Sequence, residues 1–499
     1  LVAACLASHE ESVPAMKRTL DFPDWWLPAS TCFTFAFGLS FVQWWSFNTM
    51  VDAASAMQSF HAILQHGMGA SNSTETVPVF GVHLWFFPMV VVLPFFALFP
   101  IYPTLAAVQA MVLAMSVPAA YRLAISTGLS SRNARRWTWF WALHPLVIGP
   151  NCGLAEGYQP LIFAVTPLLW SLLFAREAKW GRFGLCLILA LASREDVALT
   201  TLGIGIWVFW ILGHRRMGAA VIVLSLGWAV LSTFVILPHL VAGTWNVWSK
   251  AFPASPNTGN TVGVLARGLK NFLQVATFGY LGFVYVAWGG FTKKSAPLLV
   301  AAIPLCLVLF LVQSWATRSP FLHYAATLAP IFFLAALLES GPSGNLGTRW
   351  KLGWLFAAVC LAIWQGRLLY HGLHGADRKS LVCLEAKIPR DRSLALYSPR
   401  GAAHFAWGQD LTWMDPTHPL AEFTLIETGR KTPGWWSPDE LAGMEDQLAK
   451  AGAVVVYRTP KVRLWALRDH RRIECLSSEM PNSDRSRGSR GFLGDSPVP

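Results

Sequence analysis

Arg194, Glu195 and Asp196 stand in a row at the turn between two apolar runs, 183–193 and 197–213. The first run reaches only about 16 Å at 1.5 Å per residue, roughly half the hydrocarbon thickness of a bilayer. Three ionisable side chains at that depth cannot face lipid, so they are expected to line a water-filled or protein-walled cavity open to one face. Two readings stay open. Arg194 pairs with Glu195 or Asp196 as a structural clamp, or the triplet belongs to a polar site; a clamp tolerates a charge-swapped pair and a site does not. A second group lies in residues 48–101, which hold Asp52, His61, His66, Glu75 and His83 and no Lys or Arg. Glu156, His239, Arg318, His323 and Tyr324 fall at the same ends of other apolar runs. Carboxylates of this kind can take a proton from an attacking hydroxyl, and cationic or hydrogen-bonding groups can stabilise a leaving anion.

The elements that carry these residues follow from composition. The 499 residues are 54% hydrophobic and 13% charged, far from the roughly 25% charged residues of a soluble domain, which excludes an ordinary cytosolic enzyme. Of 66 Asp, Glu, Lys and Arg residues, 34 fall after Tyr370, so a membrane-embedded body is followed by a polar C-terminal part. The net charge of +12 sits almost wholly in the first part, where it reads as a topology signal, and the C-terminal part interleaves both signs. Nucleic acid is not an expected partner.

Apolar runs occur at 27–47, 84–101, 103–124, 137–152, 158–175, 183–193, 197–213, 218–240, 271–290, 296–314, 320–339 and 352–370. The run 84–101 carries Pro88, Pro94 and Pro100 and is read as interfacial. With it out of the count and the N-terminus inside, 15 basic residues fall on the inner side and 6 on the outer; if it crosses, the bias reverses against the positive-inside tendency. The expected fold class is therefore a polytopic α-helical membrane protein of about 11 transmembrane helices in the cytoplasmic membrane, with a small exoplasmic α/β domain.

The expected organisation is a cytoplasmic segment 1–26, a multi-span domain 27–370 with its first exoplasmic loop at 48–101, an exoplasmic α/β domain 371–470 and a disordered tail 471–499. Leu1 to Ser8 lacks the basic start of a cleavable signal peptide, so insertion is expected to rely on the first span. Within 371–470, bursts at 393–397, 423–426, 453–457 and 463–467 have strand length. Pro438 to Ala451 has helix signals, with Ser437 as cap and Gly452 at the end. The eight cysteines show no CxxC or metal-ligand spacing and read as small core hydrophobes; a Cys383–Cys475 disulfide stays open. No spacing indicates a divalent metal, and the cofactor is unknown. Tryptophans such as Trp25, Trp26, Trp44 and Trp45 sit near span ends, where amphipathic rings favour the interface.

Several stretches resemble a known family. Ala192-Ser193-Arg194-Glu195-Asp196-Val197-Ala198-Leu199 resembles the Lys/Arg-Glu-Asp-Val-Ala-Leu signature of the prokaryotic membrane proteins called domain of unknown function 2079. Phe321-Leu322-His323-Tyr324-Ala325 is similar to its His-Tyr segment, Gly81-Val82-His83 to its Gly-Asp-His segment, and Asp52 with Gln58 to its Asp-x-x-x-x-x-Gln pattern. The likeness covers about residues 30 to 470. That family is in turn similar to the GT-C superfamily of integral-membrane glycosyltransferases, which use polyprenyl-phosphate sugars and carry a catalytic Asp or Glu in the first outside loop. The resemblance implies Asp52 as catalytic base, with His83, Glu156, Arg194, Glu195, Asp196, Arg318, His323 and Tyr324 around the substrate and membrane lipid as a partner. It departs from the family at Met57 and Val82, each in place of an acid, and at Glu156-Gly157-Tyr158 in place of Asp-Phe-His. A lipid or small-solute transporter and a non-catalytic membrane scaffold are the alternatives; no internal repeat of the kind many transporters carry is visible.

Overall fold

The computed structural model describes residues 23–47, 49, 51–68, 71–72, 77–80, 83–151, 157–240, 269–311, 319, 321, 323–341, 346–375, 378–397, 401–406, 411–413, 421–427, 438–467 and 473. The first helices are α1 (Trp26–Trp45), α2 (Val51–His66), α3 (Phe86–Leu98), α4 (Tyr102–Ala114), α5 (Ser116–Ser126), α6 (Ser131–Ala142) and α7 (Pro145–Asn151). A short antiparallel pair, β1 (Ser71–Asn72) with β2 (Val77–Pro78), links α2 to α3. There follow α8 (Val165–Arg176), α9 (Trp180–Leu191), α10 (Val197–Trp210), α11 (Arg215–Val230) and α12 (Leu237–Leu240). The membrane part ends with α13 (Val275–Ala287), α14 (Ala296–Leu299), α15 (Ile303–Leu311), α16 (Ala329–Ser340) and α17 (Thr348–Gly375).

Apolar runs fold as helices because hydrocarbon offers no partner to a backbone N–H or C=O, and a helix satisfies all but its ends internally. Among the described residues four stretches are long and apolar enough to cross a membrane: Tyr102–Ser126, Arg215–Leu240, His323–Ser340 and Thr348–Tyr370. Phe86–Leu98, Pro160–Arg176, Trp180–Leu191, Val197–Trp210, Val275–Ala287 and Ala296–Leu311 are shorter. The apolar runs of the sequence are thus not equivalent. Proline interrupts several of them: 137–152 is two helices broken before Pro145, and α8 and α16 are each preceded by a 3-10 turn, Pro160–Ala164 and His323–Leu328.

The membrane part has a continuous core. Trp137 and Trp141 are fully buried, with their rings 6.3 and 5.0 Å from that of Phe333 in α16. Trp141 Nε1–H, which needs a partner at that depth, donates to Ser116 Oγ at 2.8 Å. Glu339, at the far end of α16 from His323, accepts from the backbone and hydroxyl groups of Thr292 and Ser295 and so ties the α13–α14 connection to α16.

Residues 378–466 hold α18 (Arg378–Lys387), β3 (Leu394–Tyr397), α19 (Ala402–Phe405), β4 (Leu411–Trp413), β5 (Phe423–Glu427), α20 (Pro438–Lys450), β6 (Val454–Arg458) and β7 (Val462–Ala466). The five strands form one mixed sheet in the order β4-β3-β5-β7-β6, parallel at β4-β3-β5 and antiparallel beyond. Leu394, Leu396, Phe423 and Leu425 face the apolar cluster shared with α2 and α18. Ala395, Tyr397 and Ile426 face α20 through Met444 and Leu448. A sheet covered on both faces reads as an unbroken apolar burst, which is why its strands are legible in sequence. Ser437 and most of 471–499 lie outside the described residues.

This sheet is fastened to the end of α1. His404 lies between Trp44 and Phe47, its ring stacked at 4.8 and 3.7 Å, and its Nε2–H donates to the Trp44 carbonyl at 2.7 Å. Gly401 N–H donates to the Thr49 carbonyl at 2.9 Å, and the Arg378 guanidinium covers the Trp45 ring at 4.1 Å. Removing a buried, stacked and hydrogen-bonded ring loses about 2–4 kcal/mol. His404→Ala is accordingly expected to loosen the sheet from α1, read as faster proteolysis between α17 and β3 with the membrane helices still protected.

Candidate functional site

The α9–α10 turn is the anchor. Two N–H groups reach it, one in the first turn of α3 and one just before that helix: Phe87 N–H donates to the Ala192 carbonyl at 2.8 Å, and Leu84 N–H to Glu195 Oε2 at 3.0 Å. The Phe87 N–H is one of the first of the helix and has no partner inside it, so the Ala192 carbonyl satisfies it, while Glu195 holds the backbone just before the helix begins. The other oxygen of Glu195 accepts from His83 Nδ1 at 2.6 Å. A carboxylate can only accept, which fixes the proton on Nδ1. Glu195 is buried, while the His83 side chain is 32% exposed. Glu195 thus serves as the buried support and His83 as the group presented outward.

Arg194 turns away from Glu195. Its Nε donates to Asp196 Oδ1 at 2.9 Å and a terminal nitrogen to Oδ2, a two-pronged pair, and the guanidinium covers the Tyr324 ring at 5.6 Å. Arg194 is 3% exposed. Of the two pairings open in the sequence, Arg194 makes the one with Asp196, and Glu195 is engaged by His83 and Leu84. Tyr324 lies against His323, ring centroids 4.0 Å apart. His323 is buried and feels the charges of Arg194, Asp52, Asp196 and His83. The 3-10 turn that carries it is held to α10 by the Thr200–Thr327 hydroxyl pair at 2.9 Å.

Asp52 enters from the first turn of α2 and accepts from Gln159 Nε2 at 2.6 Å. Gln159 is itself fixed, since its backbone N–H donates to Gln109 Oε1 of α4 at 2.8 Å. Gly157 makes this approach feasible. Its φ is +81°, a region that L side chains rarely adopt, and a Cβ there would stand 2.6 Å from the Ala53 Cβ. The departure at Glu156-Gly157-Tyr158 thus has a local reason, because glycine allows the 157–159 segment to lie against α2.

Of the residues singled out in the sequence, Asp52, His83, Arg194, Glu195, Asp196, His323 and Tyr324 come together. Glu156, Arg318 and Val82 lie outside the described residues. Met57 is 1% exposed in the apolar cluster with Phe60 and Trp85, so that position is core packing and supplies no ligand. Among the described residues no group of three or more His, Cys, Asp and Glu is arranged to hold a metal ion. Reading the charges alone misses Gln109 and Gln159. Their signal was an amide inside an otherwise apolar span, which must find a partner there.

His61, on the outward part of α2, lies edge-on to Phe96 at 5.1 Å, and its Nε2 is buried with no partner among the described residues. Burial lowers its pKa from the ordinary 6.5. A folded-state pKa below the unfolded one means that the unfolded chain binds the proton first. This contribution to stability is then present above about pH 6.5 and lost as pH falls through the folded value. Acidification from pH 7 to 5 is expected to loosen α2 from α3, read in tryptophan emission, and His61→Gln should flatten that response.

Comparison with solved structures returns ArnT from Cupriavidus metallidurans bound to undecaprenyl phosphate, at 11% identity and a TM-score of 0.53, covering 89% of this chain and 98% of that one. The same protein in the apo state aligns at 12% identity and a TM-score of 0.47, over 87% and 97% of the two chains. No curated protein matches the chain. At such identity the likeness is one of fold, and this chain is a membrane protein with an ArnT-like fold. Residues 53–366, more than half of the chain and including all of the clustered polar side chains except Asp52, match the profile described as predicted membrane protein (DUF2079), and the chain belongs to that family.

Proposed function

We propose that the protein is an integral-membrane glycosyltransferase of the GT-C type, transferring a sugar from a polyprenyl-phosphate donor to a hydroxyl acceptor at the exoplasmic face. The observation that carries this reading is the pairing of a held carboxylate, Asp52 on Gln159, with a held imidazole, His83 on Glu195, in one polar group with the Arg194–Asp196 pair and His323. Asp52 takes the acceptor's proton as the acceptor oxygen bonds to the anomeric carbon, and the bond from that carbon to the phosphate oxygen breaks. The polyprenyl phosphate leaves with the bonding pair, and His83, its Nδ1–H held by Glu195, carries a second proton on Nε2 in this step and donates it in a hydrogen bond to the phosphate oxygen that gains the charge. Arg194, buried on Asp196, orients the turn and Tyr324.

The ArnT-like fold supports this reading, because that protein was solved with undecaprenyl phosphate. Eleven crossings, an inner-membrane location and an exoplasmic C-terminal sheet complete it. The last is supported by Cys383, which is disulfide-bonded, a bond that persists in oxidising compartments. A second reading, a non-catalytic scaffold, draws on Met57, where the core fills the place of a family acid. Binding separates the two. Polyprenyl phosphate is expected to raise the melting temperature of the purified chain, and His83→Ala to weaken that binding at least 10-fold. A wild-type protein unmoved by the lipid phosphate would favour the scaffold.

A further inference from the structure

A second feature lies away from the polar cluster, toward the Glu339 end of α16. Between α13, α15 and α16 is a cavity of about 320 Å³, lined almost wholly by apolar groups. Its floor is Tyr280, Val284 and Phe332, all buried, while Leu281, Tyr285 and Ile303 on its rim are 41, 52 and 49% exposed. The cavity therefore opens sideways, on the flank that faces hydrocarbon. It has room for on the order of ten water-sized groups, but an apolar cavity does not hold water. An apolar groove of this size has the shape and chemistry to take a lipid acyl chain.

The connection that closes the cavity at one end decides which lipid. Phe291 and Leu299 both line it, and the chain between them carries Lys293 and Lys294, both exposed. Arg349 stands beside this connection, stacked on Trp350 at 4.1 Å and 3.8 Å from Glu339, whose carboxylate is held by Thr292 and Ser295. Lys351 is exposed nearby in the same first turn of α17. Four cations against one buried carboxylate leave this end strongly positive. Basic groups at a membrane surface attract anionic headgroups, by about 1 kcal/mol each.

We propose that this groove is a binding site for an anionic glycerophospholipid, with one acyl chain in the cavity and the headgroup phosphate on Lys293, Lys294 and Arg349. It stands apart from the polar cluster at His323 and does not depend on any transfer activity.

The test is native mass spectrometry of the full chain in detergent, with phosphatidylglycerol or phosphatidylcholine added. Phosphatidylglycerol carrying a photoreactive group in its acyl chain reports the place. The expected result is a retained phosphatidylglycerol adduct at least 10-fold favoured over phosphatidylcholine, with cross-links in residues 280–306. Lys293→Ala with Lys294→Ala should remove the preference while leaving chain cross-links. Cys306→Phe, which fills the cavity, should remove the cross-links at unchanged melting temperature; Ala302→Leu serves if that variant does not fold. Equal retention of the two phospholipids by the wild type, cross-links elsewhere, or displacement of phosphatidylglycerol by equimolar polyprenyl phosphate would each overturn the proposal.

Discussion

Asp52→Asn is expected to reduce sugar transfer by about 10² to 10⁴-fold, the range that a positioned general base contributes. The change keeps shape and a hydrogen-bonding end, so α2 and its packing should be unaltered, and melting temperature should move little. The loss should fall on kcat, since an amide can still contact the acceptor but cannot take its proton. Gln159→Leu is a milder form of the same experiment. It leaves the carboxylate in place but removes the 2.6 Å hydrogen bond that orients it, so a loss on the order of 10 to 100-fold is expected. If Gln159→Leu matched wild type while Asp52→Asn was inactive, the amide would be packing alone.

The second large effect is on folding. Glu195→Ala leaves His83, the Leu84 N–H and the start of α3 without their buried acceptor. Breaking a buried pair by deleting one partner is destabilising by about 3–5 kcal/mol, so a clear fall in melting temperature is expected. Glu195→Gln separates support from charge. Its amide oxygen can still accept from Leu84, and its amide nitrogen can only donate to His83 Nδ1, which forces the imidazole proton to the other nitrogen. Stability should recover to within about 1–2 kcal/mol of wild type, whereas activity should stay low because the carboxylate charge that sustains a doubly protonated His83 is gone. Recovery of both would mean that His83 acts through shape alone. The Arg194–Asp196 pair should behave differently, with a swapped pair restoring stability if the clamp is its whole role.

Much of this arrangement could be read in the chain. A charged triplet between apolar runs too short to reach the surface is expected to be walled by protein; Arg194 and Glu195 are buried, while the Asp196 side chain is 30% exposed. The prolines of 84–101 signalled an interrupted run, and α3 spans only Phe86–Leu98. Partner choice could not be read, because Arg194 has carboxylates at both i+1 and i+2, and only the turn geometry selects Asp196 while freeing Glu195 for α3. Nor could Gln159, whose role depends on a positive-φ glycine two residues earlier and on α4 lying alongside. The membrane runs looked alike by hydropathy, yet they differ because proline and 3-10 turns cut some of them short. Edge strand β4 was invisible for another reason: three residues carry too little alternation to register.

The central claim is tested most directly by release of free polyprenyl phosphate from radiolabelled polyprenyl-phosphate sugars by the purified chain in lipid vesicles. Wild type is assayed over a broad donor panel beside Asp52→Asn and His83→Ala at matched folding. Turnover of at least one donor by wild type, abolished in Asp52→Asn and reduced in His83→Ala, is the expected result. Turnover that persists undiminished in Asp52→Asn, or no turnover of any donor by a wild type that binds polyprenyl phosphate, would contradict the transferase.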